Sequence, residues 1–158
     1  MPCERPNLEL RRARAEDCGP LTELALRSKA SNGYDEAFMA ARMAELTVDA
    51  KSLAAGEVWL AEDDAGQVLG FFDLRLEADL AEVEAFFIAP AAKRRGIGRS
   101  LWAHLEARAR SLGAARITID SDPEAQAFYE AMGAVLVGES PSASIPGRKL
   151  PCLEKRIG

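Results

Sequence analysis

The chain has 158 residues, 48 % hydrophobic and 28 % charged, the balance of a soluble globular protein long enough to bury one real core. A net charge of −5 argues against nucleic acid as a principal partner, and no apolar run approaches a membrane span, which argues against a membrane partner too. Cys3, Cys18 and Cys152 are scattered and His104 is the single histidine, so neither a disulfide framework nor a metal site is indicated.

The first ten residues, MPCERPNLEL, carry no signal-peptide h-region, and a cytoplasmic protein is expected. Leu8 and Leu10 alternate with charged neighbours and predict a strand over 7–13. A helix over 15–29 follows, with Leu21, Leu24 and Leu26 supplying its apolar face, and Asn32-Gly33 breaks it. Asp35 can cap a second helix, whose Phe38, Met39, Met43 and Leu46 recur at near-helical spacing. Residues 47–56 are ambiguous. Val58–Glu62 and Val68–Leu76 predict a hairpin around Asp64-Ala65-Gly66, and 80–88 is the central strand.

Beyond that strand a helix over 99–112 places Leu101, Leu105, Ala109 and Leu112 on one stripe, ended by Gly113. Trp102 borders the stripe and reads as core; His104 reads as surface. A short buried strand over 115–120 leads to Asp122 at an N-cap and Pro123 in the first turn of the next helix. Strands over 134–138 and 150–157 complete the sheet, with a Ser- and Pro-rich loop at 140–148 between them. No repeat, linker or second domain interrupts residues 1–158. Periodicity alone yields an α/β chain of one domain.

The stretch with most information is EVEAFFIAPAAKRRGIG, residues 82–98. An apolar-rich strand runs through Pro90 into a basic, glycine-punctuated turn that opens a helix. Such a turn aims backbone N–H groups and the positive end of a helix dipole at one point. Gly96 and Gly98 lack a Cβ and admit a bulky anion, and Lys93, Arg94, Arg95 and Arg99 surround the turn with positive charge. Phosphate or pyrophosphate fits there. No Lys-Ser or Lys-Thr pair follows a glycine as a P-loop requires, and a single GxG falls short of a Rossmann turn.

Lys93-Arg94-Arg95-Gly96-Ile97-Gly98 resembles the Gln/Arg-x-x-Gly-x-Gly/Ala loop of the GNAT acyltransferases, which grips the pyrophosphate of coenzyme A. Lys93 departs from the usual Gln or Arg but keeps the charge. One helix and one strand later, residues 122–134 (DPEAQAFYEAMGA) resemble the family's Asn-x-x-Ala-x-x-Phe-Tyr-x-x-x-Gly-Phe segment, with Asp122 for Asn and Ala134 for Phe. Two motifs in the right order identify a resemblance that extends loosely over nearly the whole chain. It implies a GNAT fold: a mixed, mostly antiparallel sheet whose central strands splay apart, flanked by about four helices. It also implies acetyl-CoA as cosubstrate, with no metal, and admits a homodimer.

Acyl transfer to an amine needs a base for the nitrogen, donors for the oxyanion and a proton for the departing sulfur. No Ser-His-Asp or Cys-His arrangement is evident, so the resemblance implies direct attack in a ternary complex. Glu82 and Glu84, two apart on the central strand, point to one face, where neighbouring carboxylates can raise one pKa towards that of a base. Glu82 matches the position of the catalytic glutamate in the family's histone-modifying branch; Glu84 and a water relay are the alternatives. The resemblance gives Tyr129 as donor to the leaving sulfur and has Phe128 face the core. The main chain of Phe86, Phe87 and Ile88 would pair with the pantetheine amides, and Phe87 or Ile88 would offer the oxyanion an N–H.

Lys93 to Arg99, including Gly96, Ile97 and Gly98, would hold the pyrophosphate, with Tyr129 at the coenzyme's reactive end. Asp122, which cannot donate as Asn does, is assigned to helix capping. The acceptor would be a small-molecule or protein amine, framed by residues 28–34 and 140–148. Lys29, Tyr34 and Arg148 are the rim candidates, suited to a carboxylate on the acceptor, whereas Glu77 and Asp79 would suit a polyamine or an aminoglycoside. A coenzyme-A-binding module without turnover and a nucleotide- or nucleic-acid-binding protein using the basic loop are the rival functions.

Overall fold

The computed structural model describes residues 8–31, 35–92, 96–141 and 147–158. Seven strands among them form one sheet: β1 (Glu9–Arg12), β2 (Glu57–Glu62), β3 (Val68–Glu77), β4 (Leu80–Ile88), β5 (Arg116–Asp120), β6 (Val135–Pro141) and β7 (Lys149–Arg156). Their order across the sheet is β1-β2-β3-β4-β5-β7-β6. Every pairing is antiparallel except that of β4 with β5. The α-helices among the same residues are α1 (Cys18–Ala30), α2 (Glu36–Leu46), α3 (Ala50–Ala55), α4 (Ile97–Ser111) and α5 (Gln126–Ala131).

Apolar residues on the two faces of the sheet make two cores. Leu21, Leu24 and Ala25 of α1 and Leu46 of α2 pack with Leu60, Leu69 and Phe71 on one face. Leu101, Leu105 and Ala109 of α4 and Tyr129 of α5 pack with Phe72, Leu74, Ile117 and Leu153 on the other. The α4 stripe is thus buried as its spacing requires, although Leu112, expected to continue it, is 42 % exposed because the helix has ended. Met43, expected on the apolar face of α2, is likewise exposed. Asp35 caps α2 by accepting from the N–H of Phe38 at 2.8 Å. The ambiguous stretch 47–56 holds α3, whose first turn is capped by Asp49 accepting from the N–H of Ser52.

Two irregularities of β4 position the site. First, its pairing with β5 covers only Leu80 to Val83, so from Glu84 onward that edge of the strand has no ladder partner. This is the splayed centre that the resemblance implies. Second, β3 pairs Leu74 with Val83 but Asp73 with Ala85, leaving Glu84 as an extra residue in a β-bulge. The bulge shifts the alternation of faces. Ala81 and Val83 belong to the α4 core before it, Phe86 packs there after it, and Ala85 and Phe87 pack into the α1 core.

Candidate active site

The gap between the splayed strands opens into a cleft of about 690 Å³. One wall is β4 from Val83 to Ile88; the facing wall is the end of β5 with Ser121, Asp122 and the start of α5. Ser28 and Lys29 of α1, and Gly96, Gly98 and Arg99 at the start of α4, complete its lining. The free edge of β4 therefore faces the cleft beside the first turn of a 15-residue helix, whose leading N–H groups have no partners within the helix. A chain of amides ending in a pyrophosphate meets both of its needs there: a strand edge to pair with, and a positive helix end.

The two glycines of the turn have different physical roles. Gly96 is the N-cap of α4 and has φ +79°, in the left-handed region that disfavours a side chain, while nothing lies within 4 Å of where its Cβ would stand. Gly98 is tight instead: a Cβ there would lie 3.1 Å from Cε2 of Phe128. Its missing side chain makes room for that ring as well as lining the cleft. The side chain of Ile97 is fully buried in the α1 core, leaving its main chain as the part available to a ligand. Arg99 is exposed and lines the cleft. Lys93, Arg94, Arg95 and Tyr34 lie outside the described residues.

Tyr129 lines the cleft yet is only 5 % exposed, held between the rings of Phe86, Trp102 and Phe128 at 5.3–6.0 Å. Burial, reinforced by the nearby negative charge of Asp122, pushes its phenol well above the ordinary value, so it is fully protonated at neutral pH. Phe128 is half-buried and packs against the α4 core, but it also lines the cleft. Trp102 is core as expected, its indole N–H donating to Glu106 at 2.7 Å.

The two glutamates share a face of β4 and both are exposed, but Glu82 is still opposite Thr118 of β5, whereas Glu84 lies past the last paired residue and lines the cleft. Desolvation raises the Glu84 carboxyl above its usual range, and the charges of Glu82, Asp73 and Asp120 add to the rise while Arg75 opposes it.

Residues 21–134 match the model of the acetyltransferase (GNAT) family. The chain belongs to the GNAT family. It is an acyltransferase. A relative from Pseudomonas phage PaMx11, a 5-NmdU N-acetyltransferase, is 28 % identical over 136 residues, covering 83 % of this chain and 89 % of the relative. Among solved structures, a GCN5-related N-acetyltransferase of Rhodopseudomonas palustris aligns with a TM-score of 0.79 at 23 % identity, covering 99 % of each chain. The PaiA N-acetyltransferase of Thermoplasma acidophilum, in complex with coenzyme A, aligns at 0.77 and 19 % identity, over 96 % of this chain and 99 % of that one.

Two of the rim candidates, one of them lining this GNAT cleft, are neither exposed nor isolated. Lys29 is 3 % exposed and forms a close ion pair with Asp122. Arg148 reaches the same carboxylate at 3.5 Å, and its guanidinium lies 4.8 Å from the centre of the Phe38 ring. Asp122 also caps its own helical turn, accepting from the N–H of Glu124 at 3.0 Å. The Asp that replaces the family's Asn thus ties α1 and the start of β7 to the wall of the cleft. Helix capping, read from sequence, is only part of its work.

Sequence reasoning missed Asp73 and Arg75. They sit on β3 next to the bulge, and Asp73 is 6 % exposed. An Asp between fully buried Phe72 and Leu74 in a strand was the available signal. His104, read as surface, is half-buried with its ring 4.5 Å from that of Trp59, and burial lowers its pKa. No group of metal-ligating side chains occurs among the described residues, and no helix among them is long and apolar enough to cross a membrane.

Proposed function

We propose that this enzyme moves an acetyl group from acetyl-CoA to a primary amine by direct attack in a ternary complex. One observation carries the reading: a carboxylate, Glu84, and a buried, protonated phenol, Tyr129, line a single cleft together with the free edge of β4 and the start of α4. The main chain of Phe86, Phe87 and Ile88 and the first turn of α4, with Arg99, would hold the coenzyme, and the basic residues Lys93, Arg94 and Arg95 precede that turn in the chain. Acetyl-CoA supplies the acetyl group and departs as coenzyme A.

Glu84, rather than Glu82, takes the proton that the acceptor nitrogen must lose, directly or through one water. The freed lone pair attacks the thioester carbonyl, and a main-chain N–H of Phe87 or Ile88 stabilises the oxyanion. As the C–S bond breaks, the Tyr129 hydroxyl donates a hydrogen bond to the departing thiolate, which takes up the proton that the attacking nitrogen sheds on becoming an amide. The raised pKa of Glu84 suits the first step, and that of Tyr129 keeps the phenol a standing donor. The acceptor enters from the side of Lys29 and Arg148, where Asp122 fixes both cations.

The test is acetyl-CoA-dependent release of free thiol across amino acids, polyamines, aminoglycosides, arylamines, lysine peptides and 5-NmdU, the last chosen from the name of the phage relative. Turnover on at least one class is expected. Silence across the panel with acetyl-CoA still bound would favour a coenzyme-binding module without turnover.

A further inference from the structure

We propose that the pair of a buried Asp73 and a half-exposed Arg75 on β3 is a positioning element for Glu84, holding that carboxylate in the bulge and keeping the Arg75 guanidinium from capturing it. The inference rests on Glu84 being the base.

The side chain of Asp73 is 8 % exposed and its hydrogen-bond donor is Arg75, through Nη2 at 3.1 Å and Nε at 3.4 Å. Burying a carboxylate among apolar strand residues is costly, and an ion pair recovers that cost only partly. Gly56 makes the arrangement possible. Its backbone is extended, a conformation open to any residue, but a Cβ there would lie 2.7 Å from Oδ1 of Asp73 and 3.2 Å from Nε of Arg75. A glycine has therefore left room for a buried carboxylate and its Arg75 partner where an apolar residue would pack more cheaply.

The pair stands where the strand irregularity stands. Asp73 is opposite Ala85 and Arg75 opposite Glu82, so the two flank the bulged Glu84 from the neighbouring strand. The charged groups around Glu84 are Arg75 and Asp73 of β3, Glu82 on its own strand and Asp120 of β5. Asp49, at the start of α3, acts on Arg75, and Lys29 of α1 lines the same cleft but is bound to Asp122. Arg75 is thus the cation most able to trap Glu84 as a fixed, weakly basic carboxylate, and Asp73 occupies it.

The experiment is the pH dependence of kcat, using an acceptor whose amine titrates well above the carboxylate range. Wild type should show an acid limb that Glu84→Gln removes. Asp73→Asn removes a like charge and releases Arg75 towards Glu84; both effects move the limb down, by about half a pH unit or more. Adding Arg75→Gln to Asp73→Asn should move it back up. Acetyl-CoA affinity and the unfolding temperature are measured alongside. Should Asp73→Asn fail to fold, Gly56→Ala decides, because its methyl displaces the pair without removing a charge and should move the limb.

A limb that stays put, or moves up, in folded Asp73→Asn would overturn the proposal, as would a double variant that does not recover, or an unmoved limb in Gly56→Ala where that variant is decisive. Loss of the limb in Glu84→Gln together with any of these results would reject the positioning role alone. An unchanged limb in Glu84→Gln would instead reject Glu84 as base.

Discussion

Tyr129 illustrates how burial assigns chemistry to a side chain. Three aromatic rings and the carboxylate of Asp122 make its phenolate unfavourable, and the same enclosure fixes the hydroxyl at the wall of the cleft. Tyr129→Phe preserves the ring contacts and removes only the donor. It should lower kcat by about 10²-fold, at the lower end of what a positioned hydrogen-bond donor contributes, with acetyl-CoA affinity unchanged by titration calorimetry. Equal kcat in the variant would remove Tyr129 from the mechanism. The Phe-Tyr pair was legible because the motif fixes its place. Choosing between Glu82 and Glu84 was not, since a strand sequence does not announce where pairing with its neighbour ends, and Glu84 lines the cleft because β5 stops pairing at Val83.

At the scale of the element, the start of α4 depends on one backbone conformation. Gly96 at φ +79° turns the chain so that the helix begins facing the cleft. A β-branched residue there is strained by about 1–3 kcal/mol. Gly96→Val should weaken acetyl-CoA binding at least tenfold, whereas Gly96→Asn, which tolerates the left-handed region, should retain most of it; binding isotherms distinguish the two. Wild-type affinity in Gly96→Val would sink this use of the turn. Sequence alone assigned both glycines to anion access. The tight fit of Gly98 against Phe128 depends on a contact between α4 and α5 that local pattern cannot report. Caps were more transparent: Asp35, Asp49 and Asp122 all accept from the backbone of a following turn. Asp49 went unused because residues 47–56 carried no periodicity around it.

Across the whole molecule, two apolar cores grip the sheet from opposite sides, and the cleft exists because β4 and β5 part before either core is disturbed. Leu105 is fully buried in the α4 core. Leu105→Ala should cost about 3 kcal/mol of stability, read from denaturant midpoints, through lost transfer energy and the cavity left behind. Acetyl-CoA affinity of the folded fraction should hold. Element order was readable from hydrophobic spacing, cap residues and turn glycines, because those signals are local. The splay was not, because it depends on which strands meet and for how far; the family resemblance supplied it.

The measurement that reaches the centre of this mechanism is backbone amide NMR of the full chain titrated with acetyl-CoA. Shifts concentrated at Glu84 to Ile88, at Gly96 to Arg99 and around Tyr129 are expected, since those segments line the cleft. Binding that leaves these residues unmoved and perturbs another surface, such as that around Trp59 and His104, would contradict the site and the chemistry built on it.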